Sequence, residues 1–183
     1  MPWSRLLISI YRPGFMINNI KPKVGVSQCL LGDAVRYDGT SKPNDTIINE
    51  LAQLFELIPV CPEVEAGLGV PRPAVQLTED PSSPNITGRD DPSIDITLQM
   101  HDYCKQKMTE LDGLSGFIFK SHSPSCGLDS TPVYIGSEPI SLTSRGAFAR
   151  AVTHAFPDLP VIEDTDFEPR KFLDIFIEAV QKR

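Results

Sequence analysis

Three cysteines stand in short segments rich in Gly, Pro and Ser: Cys29 in Val-Ser-Gln-Cys-Leu-Leu-Gly, Cys61 in Pro-Val-Cys-Pro-Glu, and Cys126 in Ser-His-Ser-Pro-Ser-Cys-Gly. Each segment follows a short apolar run of strand character, so each cysteine is expected on a loop leaving the carboxyl end of a strand. In an open α/β sheet those ends share one edge, and that edge is where sites form. Three thiols gathered there can hold a metal or a cluster and leave one coordination position free.

The spacings, 32 and 65 residues, match no local zinc-finger pattern, whose ligands come in near pairs. His122 lies close enough to Cys126 in sequence to make a Cys3His zinc site an alternative, giving a zinc-stabilised binding module. Soft thiolates also select iron–sulfur clusters, and a cluster held by three thiolates fits the set better. A thiol-based sulfur carrier or transferase is the other alternative. It needs a low-pKa cysteine with a resolving partner, often in Cys-x-x-Cys, and the chain has no such pair. Cys104 sits near the apolar stripe of a helix, away from Gly, Pro and Ser, and reads as packing.

The elements that must position these residues alternate between strand and helix. Lys23–Ser27 reads as a first strand. Asn44 to Leu57 reads as a helix, with Ile47, Ile48, Leu51, Leu54, Phe55 and Ile58 on one face and Asn44 or Asp45 as cap. Leu57–Cys61 is expected as a second strand, and residues 62 to 91, rich in Pro, Gly and Asp, as a long irregular stretch. Ser93 to Leu111 reads as a helix with its stripe at Ile94, Leu98, His101, Cys104 or Lys105, Met108 and Leu111. Gly116–Lys120 reads as a third strand, and 127 to 142 as a loop or small hairpin.

Thr143 or Ser144 is expected to cap a helix carrying Ala147, Phe148, Ala151 and Val152. Leu159–Glu163 follows as a fourth strand, and Asp166 with Pro169 opens a last helix through Phe172, Ile175, Phe176 and Ala179. The pattern predicts one α/β domain: an open, mostly parallel sheet with flanking helices and the three cysteine loops at its carboxyl edge.

Composition agrees with one globular domain. The 183 residues suffice for one well-buried core, and 40% hydrophobic against 22% charged residues argues against disorder. A net charge of −7 does not favour wrapping a long phosphate backbone. No window resembles a membrane span, and cytoplasm is the expected location. Residues 1–20 are expected to be an extension, disordered or belonging to a start upstream of a true one at Met16. The domain itself spans 21–183.

The motifs then point to a family. Val24-Gly-Val-Ser-Gln-Cys-Leu-Leu-Gly32, Val35-Arg-Tyr-Asp-Gly39 with Lys42, Cys61-Pro-Glu63, Glu65-Ala-Gly-Leu-Gly-Val-Pro-Arg72 and Phe119-Lys-Ser-His-Ser-Pro-Ser-Cys-Gly127 resemble the DUF523, or TudS (thiouracil desulfidase), family. The resemblance runs from about Lys23 to the C-terminus. Gly146-Ala-Phe-Ala-Arg150 looks closer to members fused to a second domain, DUF1722, which this sequence is expected to lack.

The resemblance implies an enzyme that removes sulfur from a thiolated pyrimidine, using a [4Fe–4S] cluster with Cys29, Cys61 and Cys126 as ligands and one open iron. The implied reaction is non-redox and hydrolytic. Glu63 and a serine of the Ser-Pro-Ser-Cys segment, Ser123 in preference to Ser125, are the implied proton-handling groups. Thiouracil or its nucleotide is the implied substrate, with thiolated RNA second. Asp38 and Lys42 are expected to form an ion pair or to touch substrate, and Arg36 and Arg72 to bind a phosphate or form salt bridges.

Overall fold

The structure is a computed structural model that describes residues 20–183. The expectations for the N-terminal extension and for Met16 concern residues outside those described. A parallel sheet forms from β1 (Lys23–Ser27), β2 (Glu56–Val60), β5 (Gly116–Phe119) and β8 (Val161–Glu163), in the order β2-β1-β5-β8. Its central strands are continuous apolar runs because both faces are covered. In β5, Phe117 and Phe119 face one side and Ile118 the other, and all three are fully buried.

On the Ile118 side lie a π-helical turn (Ile47–Leu51), which runs into α1 (Ala52–Leu54), and α5 (Lys171–Gln181). There Val24, Val26, Leu51, Phe55, Leu173 and Phe176 pack together. On the Phe117 side lie α3 (Thr97–Glu110) and α4 (Ala147–Ala155), where Phe117 stacks on Phe119 at 4.3 Å and meets the edge of Phe148 at 5.6 Å. The molecule is therefore α/β, with a parallel sheet and flanking helices.

A second sheet, which the sequence pattern does not predict, is built from β3 (Val75–Thr78), β4 (Asn85–Gly88), β6 (Thr131–Ile135) and β7 (Glu138–Ser144), in the order β4-β3-β6-β7. The expected irregular stretch at 62 to 91 thus holds α2 (Pro62–Glu65) and two strands, and 127 to 142 supplies a hairpin. β3 pairs antiparallel with β4 and parallel with β6, so long-range pairing stabilises segments too short and too polar to show a period of their own.

Several boundaries move for local reasons. The helix expected to reach Leu57 stops at Leu54, because Phe55 turns extended and Glu56 pairs with Lys23. α3 buries Met100 and Cys104 and leaves Leu98 79% exposed, so its apolar face is rotated from the expected stripe. Thr143 and Ser144 belong to β7, and Gly146 caps α4. Asp166 caps a 3-10 turn reciprocally with Glu163, and Pro169 precedes the first residue of α5 by two positions. Among the described residues no helix is long and apolar enough to cross a membrane.

Candidate active site

The parallel strands deliver the cysteine segments directly. Cys29 lies in a 3-10 turn (Gln28–Leu31) immediately after β1, Cys61 is the residue after β2 and the N-cap of α2, and Cys126 follows β5 by seven residues. The three line one cavity of about 360 Å³, a volume in the range of small-molecule sites. Glu63, Arg72, Ser123 and Tyr37 face the same cavity, and β3 and β4 lend Val75 and the following Arg89 to its opposite wall.

Hydrogen bonds to neighbouring elements fix each cysteine segment. The Cys29 carbonyl accepts N–H bonds from Gly32 and Lys42. Gly32 closes that turn at a φ of 100°, in the left-handed region that favours glycine. The Cys61 amide donates to Glu65 Oε1 at 3.0 Å, while Tyr103 and Lys107 of α3 hold Glu65 Oε2 at 3.1 and 2.8 Å.

The Cys126 loop is tied at both ends. Glu163, buried at the end of β8, accepts the Leu128 amide and the Ser130 hydroxyl. The start of α4 donates the Phe148 and Ala149 amides to the Ser125 carbonyl. Gly146 sits so close to Ser125 that a Cβ there would meet its carbonyl carbon at 2.6 Å.

Burial dominates the electrostatics of the thiols. It pushes Cys29 up to about 11, with the Lys120 ammonium pulling the other way. Cys61 is raised mainly by burial, and Cys126 is raised well above the ordinary thiol value, with Ser27 partly offsetting and Cys29, Cys61 and Glu63 adding to the rise. Lys120 is itself held by Asp164 at 2.9 Å and by Ser121 at 2.8 Å. Among the described residues no three His, Cys, Asp or Glu side chains are drawn tightly enough to ligate one metal ion.

Glu63 is held from both sides in the cavity. Arg72 grips Oε2 through Nε at 2.9 Å and Nη2 at 2.7 Å, and Ser125 Oγ donates to Oε1 at 2.9 Å. Only 12% of the Glu63 side chain and 7% of the Arg72 side chain are exposed, so solvent screens this pair little. Arg72 also donates to the Val35 carbonyl at 3.0 Å, toward which the Cys61 thiol points at 3.8 Å.

The two serines differ in kind. Ser125 is fully buried and donates its hydroxyl hydrogen bond to Glu63. Ser123 lines the cavity, and its oxygen accepts the Ser125 and Cys126 amides at 3.3 and 3.1 Å, which leaves its O–H to donate elsewhere.

Other singled-out residues fall into place around this centre. Asp38 lies 3.5 Å from Arg36 and takes both the N–H and the O–H of Thr40, so its ionic partner is Arg36 and not Lys42. His122 lines the cavity, and its Nδ1 lies 2.8 Å from the Ser130 carbonyl; an oxygen that can only accept places the proton on Nδ1. Sequence reasoning ranked Ser125 behind Ser123 and assigned no role to Glu65, Tyr37 or Arg89. Arg89 and Arg36 both lie over the Tyr37 ring, at 5.8 and 5.6 Å. The adjacency of Arg36 and Tyr37 was in plain view, whereas Arg89 arrives only with the second sheet.

The fold has a counterpart among solved structures. One solved structure, described as a [4Fe–4S]-dependent thiouracil desulfidase, TudS (DUF523Vcz), superposes with a TM-score of 0.65 at 28% identity, covering 85% of this chain and 98% of that one. Curated proteins give no match. The family model described as 2-thiouracil desulfurase matches residues 24–164, a span that holds all three cavity cysteines and Glu63. The chain belongs to the 2-thiouracil desulfurase family.

Proposed function

We propose that this protein removes sulfur from a thiolated pyrimidine, thiouracil or its nucleotide, by a hydrolysis that replaces C=S with C=O and releases sulfide without net electron transfer. Cys29, Cys61 and Cys126 would hold a [4Fe–4S] cluster through their thiolates and leave one iron open to substrate. The observation that carries this reading is the convergence of three thiols and one clamped carboxylate on a single cavity.

The donor set fits the group. Three thiols are a soft donor set of the kind that selects an iron–sulfur cluster, and all three line one cavity. The chain has no Cys-x-x-Cys pair to supply a resolving thiol, which disfavours the sulfur carrier.

When bound, the cluster supplies a thiophilic Lewis-acid iron. The chain's own residues do the rest. Glu63 takes the proton of the attacking water at a carboxylate oxygen, as general base. Arg72 and Ser125 hold that carboxylate in one rotamer, so its position is set before substrate arrives. Ser123, with its O–H free to point into the cavity, donates to the ring nitrogen or the departing sulfur. Tyr37, with the Arg36 and Arg89 guanidinium groups over its ring, contributes part of the cavity wall. Lys120, close to Cys29, offsets the negative charge that three thiolates bring.

The test is iron and acid-labile sulfide content after anaerobic reconstitution, followed by assay of thiouracil consumption and sulfide release. About four irons per chain are expected in the unaltered protein and in Cys104→Ala, with loss in Cys29→Ala, Cys61→Ala and Cys126→Ala. Zinc, or no metal, in the unaltered protein would sink the proposal.

A further inference from the structure

A second concavity lies away from the cysteines. We propose that the groove between α3 and α4 is a separate ligand site that takes a small amphiphilic anion, an apolar or aromatic body carrying one carboxylate, sulfonate or phosphate group. At about 470 Å³ the groove is larger than the cysteine cavity and matches small-molecule sites in size. Its floor is apolar: Ile86, Met108, Ala147 and Ala151 line it, and Cys104 closes the bottom. Burial pushes the Cys104 thiol up to about 12, so this residue acts as a small apolar surface and not as a reactive group.

The rim gives the groove its sign. His101, Lys105, Arg150 and His154 line it, and none of the described residues that line it is Asp or Glu. That is an unusual concentration of basic groups on a chain of net charge −7. Arg150 is fixed by neutral acceptors, with Nη1 donating to the Ser82 carbonyl at 2.7 Å and Nη2 to the Pro81 and Arg145 carbonyls at 3.3 Å. Carbonyl oxygens orient a guanidinium without cancelling its charge. Asp102 stands 3.8 Å from His101, and Asp80 is close enough to Arg150 to feel its charge, so the basic field is strongest around Lys105.

The groove's walls also lead back to the cysteines. α3 reaches the Cys61 turn through Tyr103, Lys107 and Glu65, and α4 holds the Cys126 loop through its first amides. A ligand wedged between the two helices therefore bears on two of the three thiol segments. That consequence rests on the cluster reading above, whereas the site itself does not.

Fluorescence titration of the full chain with 8-anilinonaphthalene-1-sulfonate, an anionic aromatic probe, tests the site. Saturable binding of one dye per chain is expected, and the uncharged N-phenyl-1-naphthylamine should bind more weakly. Ala151→Trp, which fills the groove, should weaken the dye by about tenfold or more, and Lys105→Glu, on the exposed rim, by about threefold. Arg89→Ala, at the other cavity, should leave dye affinity unchanged. Circular dichroism checks that each variant folds, and Lys105→Glu decides the matter if Ala151→Trp does not. Unchanged affinity in the groove variants, or a loss in Arg89→Ala instead, would overturn the proposal.

Discussion

The two sheets of this molecule divide its labour. The parallel sheet is covered on both faces and ends in the segments that bear Cys29, Cys61, Glu63 and Cys126. The mixed sheet has one buried face, from which Leu77, Ile86 and Val133 join the core, and an outer strand, β7, whose Ile140 and Leu142 face solvent. Its contribution to the cavity is a wall and a charge, Val75 and Arg89, and none of the groups assigned to the chemistry. A scaffold that fixes reacting groups to within fractions of an ångström is expected on the rigid, doubly covered layer. The second layer is then free to vary in what it closes over the site.

The largest expected difference lies in activity. Glu63→Gln keeps the shape of the side chain but removes its basicity, and kcat for thiouracil desulfuration should fall by about 10²- to 10⁴-fold with iron content unchanged. Arg89→Ala, on the mixed-sheet wall, should raise KM by less than about tenfold and leave kcat nearly intact, since an exposed charge contributes about 1 kcal/mol or less. Equal losses in the two variants would erase the distinction between a chemical layer and a covering layer.

Stability should separate the sheets next, through one substitution made in each. A Cβ added at Gly25 in β1 would lie 2.3 Å from two atoms of the Phe117 ring, which Phe119 and Phe148 hold in place. Gly25→Ala should therefore cost about 3 kcal/mol by overpacking, read as a shift of the urea midpoint. Gly136, in the β6–β7 turn, has a φ of 59° and open space around its missing Cβ. Gly136→Ala meets only the backbone penalty, about 1 kcal/mol. A cost at Gly136 equal to that at Gly25 would mean that the hairpin is packed as tightly as the parallel core.

The same contrast explains what the sequence reveals. β1 and β5 are legible because strands buried on both faces are unbroken apolar runs, as in Val24-Gly-Val and Gly116-Phe-Ile-Phe. Val75-Gln-Leu-Thr and Asn85-Ile-Thr-Gly alternate over only four residues each, too few to stand out among the prolines and aspartates around them. Their pairing partners, up to 56 residues away in β6, supply what the local pattern lacks.

The site divides in the same way. The cysteines announce themselves by following strands, and Glu63 by standing two residues after Cys61. The contacts that aim Glu63, from Arg72 nine residues on and Ser125 sixty-two residues on, exist only once α2, the Arg72 loop and the Cys126 segment are folded together. No periodicity marks a hydrogen bond between distant loops, so the Ser125–Glu63 contact is visible only in the fold.

Glu163 offers a smaller effect that joins the two sheets. Its carboxylate ends β8 and accepts the Leu128 amide and the Ser130 hydroxyl, one residue before β6 begins. Glu163→Ala leaves both donors without their acceptor in a half-buried segment, so a loss of about 2 kcal/mol is expected. Because the same segment carries Cys126, iron should be released faster to a chelator than from the unaltered protein. Unchanged release would show that the other bonds to the Cys126 loop, from the α4 amides, Arg145 and Thr131, hold it without Glu163.

The smallest expected effect is on the outer strand. Leu142 is 67% exposed on β7, and Leu142→Thr trades an apolar surface for a β-branched residue that suits a strand at a sheet edge. Stability should move by no more than about 0.5 kcal/mol, because little area is buried there and no buried partner is lost. Solubility should improve, since an exposed leucine beside Ile140 on an edge strand invites pairing with a second copy. Unfolding in urea and light scattering at high protein concentration measure the two quantities separately. A loss above about 1 kcal/mol would mean that something covers β7 in solution. In that case the mixed sheet would have two buried faces like its parallel neighbour, and the division of labour between the sheets would have to be redrawn.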